Sequence, residues 1–342
     1  MNLSLLEILL ERRLDLSARH GFRPKIVAAV DSRGAAVSPN GLDIEELIRV
    51  KKSKGSVAQT GSSGRVGMNA LDVISTVDAD IVVEAIPTNL KTGEPSLSYV
   101  KRAMETGKHV VTANKGPLAL TADLLPGLAN RKELFFRFSG AVGGGTPILD
   151  LAARCSLGDR IVGFQGVFNG TTNYILSELE AGLTFEAALK AAKERGYTET
   201  DPLIDIRGLD SASKLVILSN AVFDTRMKLE NVKVKGIQGV TRARVAHAAT
   251  RGRVIRLIAS GGNAPAVAPM EIPRESPLAV NSAMNVVTFE LEHSGSITIS
   301  GKGAGGRETA GALLRDILTI HAKLGGFNAS RDETAPRVAT VV

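Results

Sequence analysis

Lys25-Ile-Val-Ala-Ala-Val-Asp31 is apolar throughout between its charged ends, and three runs of the same kind follow it: Asp80-Ile-Val-Val-Glu-Ala-Ile86, His109-Val-Val-Thr-Ala113 and Leu134-Phe-Phe-Arg-Phe138. Helix-like stretches separate them, at about 42–52, 67–76, 97–106 and 118–130. A strand that is apolar at every position, rather than at alternate ones, is buried on both faces, and helical connections make such strands parallel. Residues 25–138 are therefore expected to form half of a doubly wound α/β sheet.

Past the glycine-rich Gly140-Ala-Val-Gly-Gly-Gly145 the pattern changes. Helical periodicity appears at about 147–157, 171–181, 184–195 and 209–222, and strand-like runs at about 252–259, 265–272, 285–292 and 296–300. Grouped helices followed by grouped strands indicate an α+β domain with an antiparallel sheet. A last helix is expected at roughly 307–324. The chain thus reads as a first domain over 1–140, a second over 141–302, and a segment 303–342 whose helix returns to the first domain. Residues 331–342, polar and proline-containing, are expected to fray.

Composition excludes several classes. The chain has 342 residues, 44% hydrophobic and 23% charged, which suits a globular protein of two domains. No apolar run approaches the roughly 18 residues of a membrane span, so no membrane partner is expected. Glu7 interrupts the amino-terminal leucines and no basic residue precedes them, so this end is not a secretory signal. One cysteine, Cys155, excludes an internal disulfide and fits a reducing cytoplasm. The net charge of +7 is scattered, aromatics are 4% and tryptophan is absent, so no nucleic-acid partner is expected and small anions explain the charge as well.

The chemistry concentrates in Ala192-Lys-Glu-Arg-Gly-Tyr-Thr-Glu-Thr-Asp-Pro-Leu-Ile-Asp-Ile-Arg-Gly-Leu-Asp-Ser-Ala-Ser-Lys214. Glu199, Asp201, Asp205 and Asp210 crowd one lysine there, with Gly196 and Asp201-Pro202 marking irregular chain. Asp210 and Lys214 lie four apart on the next helix and so share one of its sides. As an isolated pair they would contribute only a few tenths of a kcal/mol. Stability alone gives no reason for the whole cluster.

Nucleotide signals lie in the first domain. Asp31 closes an apolar strand, where an open α/β sheet places the acid that binds an adenosine ribose, although aspartate also caps turns. Arg33, or Lys51 or Lys52, could instead favour a 2′-phosphate, which leaves NADP or NAD open. Ile86-Pro-Thr88 and Thr112-Ala-Asn-Lys115 each follow a strand at its carboxyl end, where ligands bind in such sheets. The Gly-x-Gly-x-x-Gly turn expected before Asp31 is absent, and Met1 begins in what reads as the helix that follows it. The usual central strand is accordingly expected to be missing. Gly61-Ser-Ser-Gly-Arg-Val-Gly67 stands in the wrong part of the βαβ order and reads as a surface loop.

The Ala192–Lys214 run, with Gly196, Asp201-Pro202, Asp205, Gly208, Asp210 and Lys214 at their spacing, resembles the signature of homoserine dehydrogenases. Val111-Thr-Ala-Asn-Lys-Gly116, Phe168-Asn-Gly-Thr-Thr-Asn-Tyr-Ile-Leu176 and Gly301-Lys-Gly-Ala-Gly305 with Thr309-Ala310 extend the similarity over essentially the whole chain. The resemblance implies a Rossmann-type parallel domain beside an α+β catalytic and dimerisation domain. It implies NAD(P)-linked interconversion of L-homoserine and L-aspartate 4-semialdehyde, on the route to threonine, isoleucine and methionine. A homodimer is expected because an antiparallel sheet in the second domain can extend across a two-fold interface. It assigns Lys214 and Lys115 to proton transfer, Glu199, Asp205, Asp210 and Thr171 to the substrate, and Thr88, Gly196 and Gly305 to the cofactor. Ser139 stands where the family often has a cation-binding glutamate, leaving only the carbonyls of Val142, Gly144 and Thr146 for sodium. The rival readings are another amino-acid dehydrogenase on this architecture and a non-catalytic homologue that binds the amino acid or a partner.

Overall fold

The computed structural model describes residues 2–197, 202–325 and 336–341. The chain divides into two compact units, 1–141 with 305–342, and 142–304. The first begins with α1 (Asn2–Glu11), α2 (Arg13–His20), β1 (Lys25–Asp31), β2 (Gly34–Val37), α3 (Ile44–Lys54), β3 (Gly64–Val66) and α4 (Ala70–Thr76). It continues with β4 (Ile81–Glu84), α5 (Ser96–Glu105), β5 (His109–Thr112), α6 (Lys115–Leu120), α7 (Leu124–Arg131) and β6 (Phe136–Arg137). The second unit holds α8 (Ile148–Cys155), β7 (Ile161–Val167), α9 (Gly170–Glu180), α10 (Phe185–Glu194), α11 (Leu203–Ile206) and α12 (Leu209–Phe223). Then come β8 (Lys233–Val234), α13 (Arg242–Ala249), β9 (Arg253–Gly261), β10 (Ala266–Pro273), β11 (Met284–Leu291) and β12 (Gly295–Lys302). Finally α14 (Gly306–Lys323) and β13 (Arg337–Val341) rejoin the first unit.

The first unit is built on a seven-stranded sheet of order β3-β2-β1-β13-β4-β5-β6, parallel from β1 to β6. The central position, expected to be empty, is occupied by β13. Val338 lies opposite Ile26 on one side and Ile81 on the other, and Ala339 opposite Ala28 and Val82. The Arg337 amide donates to the Asp80 carboxylate at 2.7 Å and the Asp80 amide to the Arg337 carbonyl at 2.9 Å, which pins the register. The expectation of a frayed tail therefore fails for 337–341. Arg337-Val-Ala-Thr-Val341 is a good strand sequence, masked by the polar stretch before it, and it gains a full ladder on both edges. Gly64–Val66, read from sequence as part of a surface loop, pairs with β2 as an edge strand.

Both faces of this sheet are covered, as continuously apolar strands require. Ile26, Ile81, Val111 and Val338 pack with Leu5, Leu9, Leu47, Leu313 and Ile317 from α1, α3 and α14. Val27, Val82, Val110 and Ala339 pack with Val73, Val100, Met104 and Leu125 from α4, α5 and α7. Neighbours in the strands thus enter opposite cores.

The second unit carries a six-stranded sheet of order β12-β11-β7-β9-β10-β8, antiparallel except where β10 meets β8. Helices α8, α9, α12 and α13 pack against it. Phe164 on β7 stacks on Phe223 at the end of α12 with ring centroids 5.9 Å apart, anchoring the helix that bears Lys214.

Candidate active site

In the second unit the site is assembled where β7 ends and α9 begins. Asn169 caps α9, its side-chain oxygen accepting from the Thr172 amide at 2.8 Å, and this turns its Nδ2 outward as a donor. That nitrogen donates to Asp205 at 2.7 Å and to Asp210 at 2.9 Å, bridging the two carboxylates. Asp210 and Lys214, one turn apart on α12, form an ion pair of 2.8 Å with both side chains largely buried. The Lys214 ammonium also donates to the Phe168 carbonyl at 2.6 Å, and Asn285 from β11 donates to the same oxygen at 3.0 Å. Burial, and then the charge of Asp210, raise the Asp205 carboxyl above the usual range, against lowering by Thr171, Asn169 and Lys214. Lys214 is thus buried with a carboxylate and a carbonyl among its hydrogen-bond partners.

In the first unit the loops after β4 and β5 stand at the carboxyl edge of the parallel strands. The chain runs outward from β1 to β3 on one side and from β4 to β6 on the other, with β13 between the two halves, and ligands of such sheets bind outside the strand ends where the direction changes. Asn114 caps α6, accepting from the Gly116 amide at 3.0 Å while donating to the Ile86 carbonyl at 3.2 Å. Lys115 is the first residue of α6 and half-buried. Gly116 admits no side chain, since a Cβ there would lie 2.5 Å from the Asn89 carbonyl oxygen. Asp31, at the end of β1, takes four donors from its own chain: the Arg33 amide and Ser56 hydroxyl at 2.9 Å each, the Val57 amide at 2.9 Å and the Lys51 ammonium at 2.6 Å. Burial opposes its ionisation, but Lys51 and the other donors outweigh that and hold its carboxyl below the usual range.

Of the residues singled out from sequence, the second unit brings Asp205, Asp210 and Lys214 together around Asn169. Thr171 is buried beside them and its hydroxyl donates to the Tyr197 carbonyl at 2.6 Å. Gly196 lies in the turn after α10 with φ +69°, and Glu199 lies outside the described residues. In the first unit Thr88 is half-buried after β4, and Gly305 precedes α14 with φ +133°. Ser139 is committed to Asp316, to which its amide and hydroxyl both donate at 2.8 Å. Among the described residues no group of three or more His, Cys, Asp or Glu is placed to hold a metal. No described helix is long and apolar enough to cross a membrane.

Sequence reasoning missed Asn169, Asn285, Glu84 and the Phe168 carbonyl. Asn169 could have been found as a cap, because an asparagine before Gly-Thr-Thr and a helical pattern is a start signal. Nothing local distinguishes Asn285.

A doubly wound sheet in one unit and a buried, carboxylate-held lysine in the other are the parts expected of a nucleotide-dependent dehydrogenase. A family model described as homoserine dehydrogenase matches residues 147–318. A second, described as glutamate/leucine/phenylalanine/valine dehydrogenase, matches residues 16–114 within the first unit. The chain is 44% identical over 299 residues to a homoserine dehydrogenase of Methanocaldococcus jannaschii, covering 87% of this chain and 89% of that one. It is 39% identical over 329 residues to an NAD(+)-dependent homoserine dehydrogenase of Pseudomonas canavaninivorans, covering 94% and 93%. The structure of a hyperthermophilic archaeal homoserine dehydrogenase in complex with NADPH superposes with a TM-score of 0.83 at 27% identity, over 94% of this chain and 95% of that one. The chain belongs to the homoserine dehydrogenase family.

Proposed function

We propose that the chain interconverts L-homoserine and L-aspartate 4-semialdehyde with Lys214 as the proton-transfer group. The observation that carries this reading is the burial of Lys214 between Asp210 and the Phe168 carbonyl. In the oxidative direction the alcohol proton passes to Lys214 as the hydride leaves the same carbon; in reduction both return. A neutral amine keeps two N–H bonds, so the hydrogen bonds to Asp210 and Phe168 persist in either protonation state. Asp205 and Asp210 offer acceptors for the substrate ammonium and hydroxyl, joined in this reading by Glu199, and Thr171 serves the carboxylate. Lys115 supplies a second cation towards the reacting oxygen.

The cofactor supplies or accepts the hydride, and NAD(P) suits the first unit. In this reading Thr88, after β4, and Lys115, after β5, serve the cofactor from the carboxyl ends of neighbouring strands, with Asp31 and Arg33 at the end of β1 for the ribose or its 2′-phosphate. Gly196 and Gly305 are assigned to the nicotinamide half. Carbonyls of Val142, Gly144 and Thr146 are the proposed donors for a monovalent cation. A homodimer is the proposed assembly, because β12 has a strand partner on one side only among the described residues. The cytoplasm is the proposed compartment.

Lys214→Ala tests the central assignment. The variant leaves the buried Asp210 without its cation and is expected to lose about 3 kcal/mol or more of stability; at a temperature where it stays folded it is expected to bind NAD(P)H normally and to lose turnover by about a thousandfold. Near-parental turnover in the folded variant would remove Lys214 from the mechanism.

A further inference from the structure

Glu84 is wholly buried, and no role in the chemistry above uses it. It ends β4 opposite Thr112 at the end of β5. One carboxylate oxygen accepts from the Ile86 amide at 2.9 Å and the Asn114 side chain at 3.3 Å; the other accepts from the hydroxyls of Ser96 at 2.6 Å and Thr112 at 2.7 Å. An ionised carboxylate accepts at both oxygens and donates nowhere, which matches four converging donors. Burial nonetheless raises the Glu84 carboxyl above its ordinary value, against the pull of those four donors. A buried charge of this kind is weak evidence for stability, since well-packed apolar replacements of buried ions are often neutral or better.

The donors come from the loop after β4, from the start of α5 and from the junction of β5 with α6. Asn114 extends the connection, because the same side chain caps α6 and Lys115 is the first residue of that helix. The close backbone approach of Gly116 to Asn89 joins the loop after β4 to the same helix start.

We propose that Glu84 is a positioning residue, a buried clip that fixes the loop after β4 and, through Asn114, the Lys115 end of α6 for turnover. The proposal rests on the role given to Lys115 above. Glutamine at 84 can keep its oxygen towards Ile86 and Asn114 and turn its amide group to the hydroxyls of Ser96 and Thr112, which can accept as well as donate. Leucine satisfies none of the four donors.

The test uses the full chain and steady-state kinetics with homoserine and NAD(P). Glu84→Gln is expected to stay within about threefold of parental kcat, whereas Glu84→Leu falls about ten- to a hundredfold with homoserine KM nearly unchanged. Asn114→Ala, which leaves Glu84 in place, carries the test if the leucine variant does not fold, and is expected to lower kcat about tenfold. In a Lys115→Ala background the Asn114 substitution should cost no more than about twofold, because the two act as a unit. Parental kcat in folded Glu84→Leu or Asn114→Ala, or an undiminished loss in the Lys115→Ala background, overturns the proposal. Near-normal turnover of Lys115→Ala alone overturns the role of Lys115, whereas a silent Asn114→Ala beside a crippled Lys115→Ala overturns only the clip.

Discussion

Asn285 and Lys214 donate to one and the same atom, the Phe168 carbonyl oxygen, from β11 and α12 respectively. A carbonyl oxygen has two lone pairs, so it can accept from both. Asn285 thereby limits where the ammonium can settle, and its own amide lies flat against Gly303.

Gly303→Ala follows directly from this contact. A Cβ there would collide with the Asn285 amide, so either the 301–305 loop or Asn285 must shift. The expected cost is about 1–3 kcal/mol in denaturant unfolding. A drop in kcat larger than the rise in homoserine KM is expected with it, since the disturbance reaches Lys214 through the shared carbonyl. An alanine variant with parental kcat would show that Asn285 does not influence the lysine.

Asp205→Asn is expected to stabilise the protein at neutral pH. The Asp205 carboxyl is raised in the folded state, by burial and then by Asp210, so the native protein holds that proton more tightly than the unfolded chain does. Stability therefore declines as pH rises from the unfolded value of about 3.9 up through the raised folded value. The asparagine side chain is neutral throughout and can still accept from Asn169. Its advantage in melting temperature should be full above the folded value and vanish below about pH 4. An advantage that persists undiminished in acid would contradict the assignment.

Arg33→Ala addresses the cofactor. The Asp31 oxygens are filled by four donors of the chain itself, with Lys51 bound to Asp31 and Lys52 to Glu7 at 2.6 Å each. Arg33, exposed at the β1–β2 turn, is then the cation proposed for a 2′-phosphate. The variant is expected to raise the KM for NADP about tenfold, with the KM for NAD within about twofold. Equal effects on both cofactors would argue against 2′-phosphate recognition by Arg33.

Ala339→Asp probes the central strand. Ala339 is 2% exposed between Ala28 and Val82, so the substitution buries a carboxylate with no partner. A loss of about 3 kcal/mol or more is expected, read as a lower midpoint in denaturant and as lost NAD(P)H binding. A variant of parental stability would mean that 337–341 does not occupy this position in solution.

The parts of the fold that were legible in the sequence were those governed by local pattern. The apolar runs at 25–31, 80–86 and 109–113 announced buried parallel strands, and helical periodicity located α12 and α14 to within a residue or two. The Asp210–Lys214 pair was legible because four-residue spacing fixes a helical face. β13 was not, because a five-residue strand after a polar tail carries no periodic signal and acquires its identity only from two strands distant in sequence. Asn285 and Glu84 were hidden for the same reason: each owes its importance to partners on other strands and helices, at separations that no local window spans.

The central position of β13 also sets the order in which the nascent protein can complete itself. β1 and β4 leave the ribosome early, with two open strand edges facing the gap between them. The strand that closes that gap is made about 250 residues after β4, on the order of tens of seconds of translation. Over that interval the 142–304 unit is synthesised whole and can fold, while the nucleotide unit waits with unpaired backbone exposed. Chaperone demand and losses to aggregation during expression should therefore track the rate at which β13 is made.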